Sequence, residues 1–201
     1  EVKNYRKNGE MFWNELSLSP VRNKKGKVTH FIGVQKNITK RKRLEEAMYN
    51  QSITDPLTRV YNRRGFEIIA SKQIALAKRT KHNLALILVD LDNFKAINDE
   101  FGHLQGDDAL VAAAKVLKHT FRYADIIARF GGDEFVILTG ESNEASIHVT
   151  LNRLTDAMNA FNNDNKFPFQ LSFSSGVAHL TPEKDKKVEE LLHEADLMMY
   201  D

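Results

Sequence analysis

The spacing of apolar positions changes character twice along the chain. Up to about residue 38 it is strand-like: Met11-Phe12-Trp13 and Val28 to Val34 are separated by turn signals at Asn8-Gly9 and Lys25-Gly26. Asn8-Gly9 predicts a type I′ hairpin, since both residues tolerate positive φ. Pro20 is expected to break the strand that follows. Three antiparallel strands of this length cannot bury a core of their own, so residues 1–38 read as part of a larger domain. Thr39 to Thr54 lacks Gly and Pro and carries helix formers around Arg43-Leu44-Glu45-Glu46-Ala47-Met48, which predicts a linker helix. Leu44, Met48 and Gln51 stand at i, i+4, i+7, a seam too short to establish a heptad. Asp55-Pro56 stops the helix.

Beyond residue 55, helical and strand periods alternate. Phe66, Ile69, Ala70, Gln73, Ile74 and Ala77 mark one face of a helix over 66–79, and Leu84 to Asp90 is an apolar run ending in acid, as in a strand buried on both sides. Phe94, Ile97 and Phe101 predict a short helix closed by Gly102. Leu110, Ala114, Leu117 and Phe121 continue the 3.6-residue period in the next. Ile126 to Phe130 and Glu134 to Thr139 read as strands joined by a tight turn at Gly131-Gly132-Asp133. A helix over 144–161, a strand over 169–178 and a helix over 188–200 complete the pattern. The implied class is α+β: a mixed central sheet flanked by helices, preceded by a partial antiparallel sheet and a linker helix.

The 201 residues contain no cysteine, which excludes disulfides, thiolate metal sites and thiol nucleophiles and fits a reducing, cytoplasmic setting. Even the longest apolar runs, such as Leu84 to Val89, are far below the ~18 residues a membrane-spanning helix needs. No signal-peptide pattern opens the chain. It begins at Glu1, so the natural start is expected to lie upstream. Net charge is +2, but residues 1–43 carry +9 and residues 44–201 carry −7, which suggests two units with different tasks. The lysines of the basic unit cluster at turns (Lys24, Lys25, Lys27), as in a solvated loop, so no nucleic-acid or membrane partner is expected.

Asp90 ends a buried strand and Asp133 lies in a hairpin turn. Strand ends converge at one rim of a sheet, where two carboxylates can share a hard cation. Taken alone, acidic residues at strand ends are more often merely solvated. The surrounding residues carry more. Asp90-Leu91-Asp92-Asn93-Phe94-Lys95, Phe101-Gly102-His103, Gly106-Asp107 and Arg129-Phe130-Gly131-Gly132-Asp133-Glu134-Phe135, with Asp55-Pro56-Leu57-Thr58 and Asn62-Arg63-Arg64 upstream, resemble the GGDEF domains of the diguanylate cyclase family in order and spacing over residues 55–200.

That resemblance implies a palm-like fold akin to nucleotide cyclases, and condensation of two GTP into cyclic di-GMP with release of two pyrophosphates. It assigns Mg²⁺ (or Mn²⁺) to Asp90, Asp133 and the Leu91 carbonyl. Asp133, where many members carry Glu, is also the implied proton acceptor. Glu134 is a weaker candidate to assist, because neighbouring strand residues face opposite ways. Lys95 would stabilise phosphate charge. The guanine edge falls to Asp107, helped by Asn98, with His103 nearby, although Asp107 also suits a helix N-cap and Asn98 an exposed helical position. Arg122-Tyr123-Ala124-Asp125, ordinarily a surface charge pair, resembles the family's inhibitory product site, with Arg153 as a second anchor. Two GTP per product imply a homodimer.

The chain departs from the family at Arg59, where Gly is usual, a change expected to be tolerated in a turn. The family's last helix continues past Asp201 to a Lys and an Arg that grip phosphate, so the sequence is expected to be a fragment or impaired in catalysis. A GGDEF-type module that binds GTP or cyclic di-GMP without turnover is the alternative function, as is a regulator of a following domain. Residues 1–38 resemble the last three strands of a PAS domain, and more narrowly a LOV flavin sensor. In that case Asn4 and Asn14 would hydrogen-bond the polar edge of FMN, since amides both donate and accept, and Gln35 would respond to the flavin N5.

Overall fold

A computed structural model describes residues 1–140, 143–164, 166–184 and 186–199, with the side chains of Asn50 and Gln51 left aside. The chain divides into two units, Glu1–Gln51 and Ser52–Asp201. In the first, β1 (Val2–Tyr5), β2 (Met11–Arg22) and β3 (Val28–Asn37) form an antiparallel meander, followed by α1 (Thr39–Ile53). The first hairpin differs from the expected type I′ turn. The Arg6 amide donates to the Glu10 carbonyl at 2.8 Å and the Gly9 amide to the Arg6 carbonyl at 2.9 Å. Gly9 takes φ 83° and Asn8 has no positive φ. Asn8 uses its side chain instead, accepting from the Glu10 amide at 3.0 Å, the local bond by which Asn builds turns.

Pro20 does not break β2; it pairs with Phe31 inside it. Beyond Asn14 only one edge of β2 carries a ladder, and a strand with an open edge accommodates a residue lacking N–H. The Ile38 amide donates to the Trp13 carbonyl, and the Trp13 amide to the Thr39 hydroxyl, so α1 starts from the middle strand. Leu44 and Met48 are 55% and 70% exposed, which leaves the expected seam open along the helix. Its third member, the Gln51 side chain, lies outside the described residues.

The second unit holds β4 (Tyr61–Asn62), α2 (Arg63–Thr80), β5 (Leu84–Leu91), α3 (Phe94–Phe101), α4 (His103–Thr120), β6 (Ile126–Gly131), β7 (Glu134–Thr139), α5 (Glu144–Asn163), β8 (Phe173–Leu180) and α6 (Val188–Leu197). Tyr200, expected at the end of the last helix, lies outside the described residues. The sheet order is β4-β6-β7-β5-β8, with β4 parallel to β6 and the other pairs antiparallel. This is the mixed sheet expected of an α+β domain. The central strand sorts its side chains by parity. Ala85, Ile87, Val89 and Leu91 pack with Leu110, Leu117, Leu154 and Met158 of α4 and α5. Leu84, Leu86 and Leu88 pack with Phe66, Ile74 and Leu191 of α2 and α6.

Strand β8 starts at Phe173, four residues later than the apolar run suggests. The Asn162 side chain satisfies both backbone groups of Leu171, each at 2.8 Å, and just before it Phe169 is buried by stacking on Phe167, which in turn stacks on Phe161, rather than by a ladder. Where α6 crosses β8, a Cβ on Gly176 would stand 1.9 Å from the Ala195 carbonyl oxygen. Arg59 has φ 58°, the left-handed conformation that glycine adopts freely and that costs other residues about 1 kcal/mol. Lys118 steadies this turn by donating to the carbonyls of Thr58 and Arg59 at 3.1 and 3.0 Å.

Candidate active site

Asp90 is the last polar position on the α2/α6 side of β5. Its register partners are Glu134 on β7 and Ser174 on β8, so the three side chains leave the sheet on one face. Strand alternation, which makes Glu134 a weaker candidate than Asp133, does not separate it from this rim. Alternation separates neighbours within a strand, but Asp133 lies in the turn, and Glu134, the first residue of β7, shares a face with Asp90. The turn is fixed by Gly132 at φ 51° and by the Leu91 amide donating to the Asp133 carbonyl at 3.3 Å. Arg129 adds a clamp: its guanidinium donates to the Gly132 carbonyl at 2.9 and 2.7 Å and pairs with Asp55 at 3.4 Å. Asp55 also accepts from the Thr58 amide and hydroxyl at 2.8 and 2.6 Å. Burial pushes the Asp55 carboxyl up, but Thr58 and Arg129 outweigh it and hold the carboxyl below the usual range.

The electrostatics of the rim run the other way. Burial and then the charges of Asp133, Glu134 and Asp92 push the Asp90 carboxyl up to about 6. Asp92 is partly engaged, accepting from the Ser174 hydroxyl at 2.6 Å. A half-buried carboxylate facing three others is what a divalent cation relieves. Among the described residues no three acidic or histidine side chains close into a metal cage. Magnesium sites characteristically take one or two carboxylates and complete the shell with water and substrate phosphates, so Asp90, Asp133 and the Leu91 carbonyl fit such a group.

Leaving β5, the chain turns through Asn93 at φ 56° into α3, which places Lys95, exposed, in its first turn. Gly102, at φ 83°, separates α3 from α4. Across that junction the Asn98 Oδ1 lies 3.3 Å from His103 Nδ1. A Cβ on Gly106 would meet the same Oδ1 at 2.0 Å, so the glycine makes room for the amide. Asp107 stands exposed one position on, inside α4 rather than at its N-cap, because the helix already begins at His103. Asn98 and His103 are thus brought together, with Asp107 one helical turn away.

Arg122 and Asp125 form a turn: the Arg122 amide donates to the Asp125 carboxylate at 2.8 Å, and the Asp125 amide to the Arg122 carbonyl at 3.0 Å. Both line a cavity of about 810 Å³ with Arg59, Lys118, Val60 and Ile127. Desolvation lowers the pKa of Lys118. Arg153 is not among the lining residues. Its guanidinium donates to the Thr120 carbonyl at the end of α4. Sequence reasoning missed Arg59 as a wall of this cavity and Arg129 as the clamp of the turn; the departure from glycine at position 59 was the available signal for the first.

In the first unit, Asn14 pairs with Val2 and Asn37, Asn4 with Phe12, and Gln35 with Leu16. Asn4, Asn14 and Gln35 therefore share one face of the meander with Leu16 and Leu18. Asn14 is buried, whereas Asn4 and Gln35 are exposed.

Comparison with known proteins agrees with the GGDEF resemblance and with the PAS resemblance of the first unit. Residues 1–40 match the PAS domain model. The "Probable diguanylate cyclase DgcC" of Escherichia coli K12 is 39% identical over 150 residues, covering 74% of this chain and 40% of the relative. The diguanylate cyclase DgcP of the same strain is 28% identical over 189 residues, covering 94% of this chain and 55% of the relative. The chain therefore spans about half the length of such relatives. Among solved structures, the GGDEF domain of TpbB from Pseudomonas aeruginosa aligns with TM-score 0.66 at 34% identity over 73% of this chain and 86% of that one. The coiled coil and GGDEF domain of DgcB from Caulobacter crescentus, in complex with c-di-GMP, aligns with TM-score 0.73 at 23% identity over 81% and 86%. Residues 52–201 match the model described as "Diguanylate cyclase, GGDEF domain", and the chain belongs to that family.

Proposed function

We propose that residues 55–201 form a cyclase domain that condenses two GTP into cyclic di-GMP, regulated through a linker helix at 39–54 by a sensor of which residues 1–38 are the last part. The observation that carries the reading is the acidic rim: Asp90 paired in register with Glu134, beside Asp133 in the turn, with its carboxyl pushed up to about 6. Nothing in a purely structural role calls for three carboxylates on one partly buried rim.

Within this rim, Asp90, Asp133 and the Leu91 carbonyl are the ligands for Mg²⁺ or Mn²⁺. The bound cation supplies Lewis-acid stabilisation of charge on the α-phosphate and the departing pyrophosphate. Asp133 takes the proton from the 3′-hydroxyl that attacks the α-phosphorus of the facing GTP. Lys95, at the start of α3, lies on the phosphate side and neutralises charge there. Guanine offers N1–H and N2–H₂ side by side, which the Asp107 carboxylate accepts together, with Asn98 and His103 bordering the base. One site holds one GTP, so two copies must face each other, and the working state is a homodimer. GTP is a cytoplasmic nucleotide, so a cytoplasmic domain is the reading that goes with this substrate; separately, no helix among the described residues is long and apolar enough to cross a membrane.

Arg122 and Asp125 are the product-binding pair through which cyclic di-GMP inhibits. The DgcB structure, which holds c-di-GMP, supports product binding on this fold, while Arg153, directed at Thr120, enters only if it changes partner. In the first unit the shared face of Asn4, Asn14 and Gln35, bedded on Leu16 and Leu18, suits a flat heteroaromatic with alternating donors and acceptors. FMN is the proposed ligand once the remaining strands of the domain are present.

Asp90→Asn and Asp133→Asn test the central assignment. Each should abolish cyclic di-GMP synthesis in the full-length protein while leaving the circular-dichroism spectrum unchanged, because each removes charge at the reacting phosphates and not core packing. Wild-type turnover by either variant removes the assignment, and retained binding of GTP by a wild-type protein without turnover would favour the non-catalytic module.

A further inference from the structure

Among the described residues of the second unit, three non-glycine residues have positive φ: Arg59, Lys81 and Asn93. Lys81 closes α2, where a left-handed residue is routine, and Asn93 is a residue type that tolerates the conformation. Arg59 has neither reason. Its chemistry is used elsewhere: the side chain is exposed and walls the same cavity as Arg122 and Asp125. Lys118 donates to the Arg59 and Thr58 carbonyls and lines the cavity as well, so it fixes the turn from which Arg59 projects. Three cationic side chains and one carboxylate thus line the cavity together with the apolar Val60 and Ile127. Such a lining fits a ligand with flat apolar faces and more than one phosphate charge.

We propose that Arg59 is a phosphate-gripping residue of this cavity, adding a second guanidinium to Arg122 and raising the affinity for a dianionic cyclic dinucleotide. The proposal rests on reading the Arg122–Asp125 turn as the product site. Arg59 makes no contact with the reacting atoms; it sets how little product is needed to occupy the cavity. The left-handed backbone at position 59 is the structural cost of placing that charge there.

Titration calorimetry with cyclic di-GMP, on the chain as it stands, tests this with three variants. Arg59→Gly removes the guanidinium and relaxes the backbone, so it should melt at or above the wild type while binding about tenfold more weakly, the loss expected of one charge-assisted hydrogen bond. Arg59→Lys keeps the charge and should recover part of that affinity, and Arg122→Ala should weaken binding at least as much as Arg59→Gly. Raising the salt concentration should penalise the wild type more than Arg59→Gly. If Arg122→Ala weakens binding and Arg59→Gly does not, the role of Arg59 is overturned and the product site stands. If neither changes the affinity, or the wild type does not bind, the product-site reading fails and the proposal with it.

Discussion

Replacing Asp90 by Asn should make the metal-free protein more stable at neutral pH even as it removes activity. The Asp90 carboxyl is raised from the ordinary 3.8 to about 6. A folded-state pKa above the unfolded one means the folded chain binds more protons between those values, so stability falls as pH rises through that window and stays lower above it. The full shift would correspond to about 3 kcal/mol. The group is partly exposed and solvent screens it, which reduces the cost to about 1–2 kcal/mol. For a chain of this size that is about 2–8 °C in melting temperature. Thermal melts followed by circular dichroism in a chelating buffer at pH 8 should therefore place Asp90→Asn above the wild type, with the gap closing near pH 4, where the wild-type carboxyl is protonated. Adding Mg²⁺ at pH 8 should raise the wild type and leave Asp90→Asn nearly unmoved. An Asp90→Asn protein that melts at or below the wild type at pH 8, or a gap that persists unchanged at pH 4, refutes the crowded-carboxylate account.

Two other substitutions probe the surroundings of the rim. Arg129→Ala frees the Gly132 carbonyl and leaves Asp55 without its partly buried partner. It should cost about 2 kcal/mol in denaturant unfolding. Because Asp55 is depressed in the folded chain, the wild type loses stability as pH falls through its carboxyl range, and in Arg129→Ala that loss should shrink. Gly106→Ala pushes a methyl into Asn98 Oδ1, so it should weaken GTP binding severalfold in a nucleotide titration while the melting temperature changes by only a few degrees.

The elements that were legible from sequence are those whose period repeats. Helix α4 shows Leu110, Ala114 and Leu117 on one face, and β5 shows an unbroken apolar run; both lie where the pattern puts them. Strand β4 has two residues and no period to read, and exists because Tyr61 and Asn62 lie beside Ala128 and Arg129 of β6. The start of β8 and the course of β2 through Pro20 were decided by features outside the local apolar pattern, the Asn162 side chain nine residues from Leu171 in the first case and an open strand edge in the second. The rim was recognisable as a set of motifs, but the sheet order that sets Asp90 opposite Glu134 is a property of the fold. Arg59 was visible as an exception and acquired meaning only beside Arg122.

The most direct test of the account is the identity and stoichiometry of what the protein makes from GTP. Full-length protein incubated with GTP and Mg²⁺, with products separated by chromatography and weighed by mass spectrometry, should yield cyclic di-GMP and two pyrophosphates for each ring. Unchanged GTP, or GDP and inorganic phosphate in place of the ring and pyrophosphate, would contradict it.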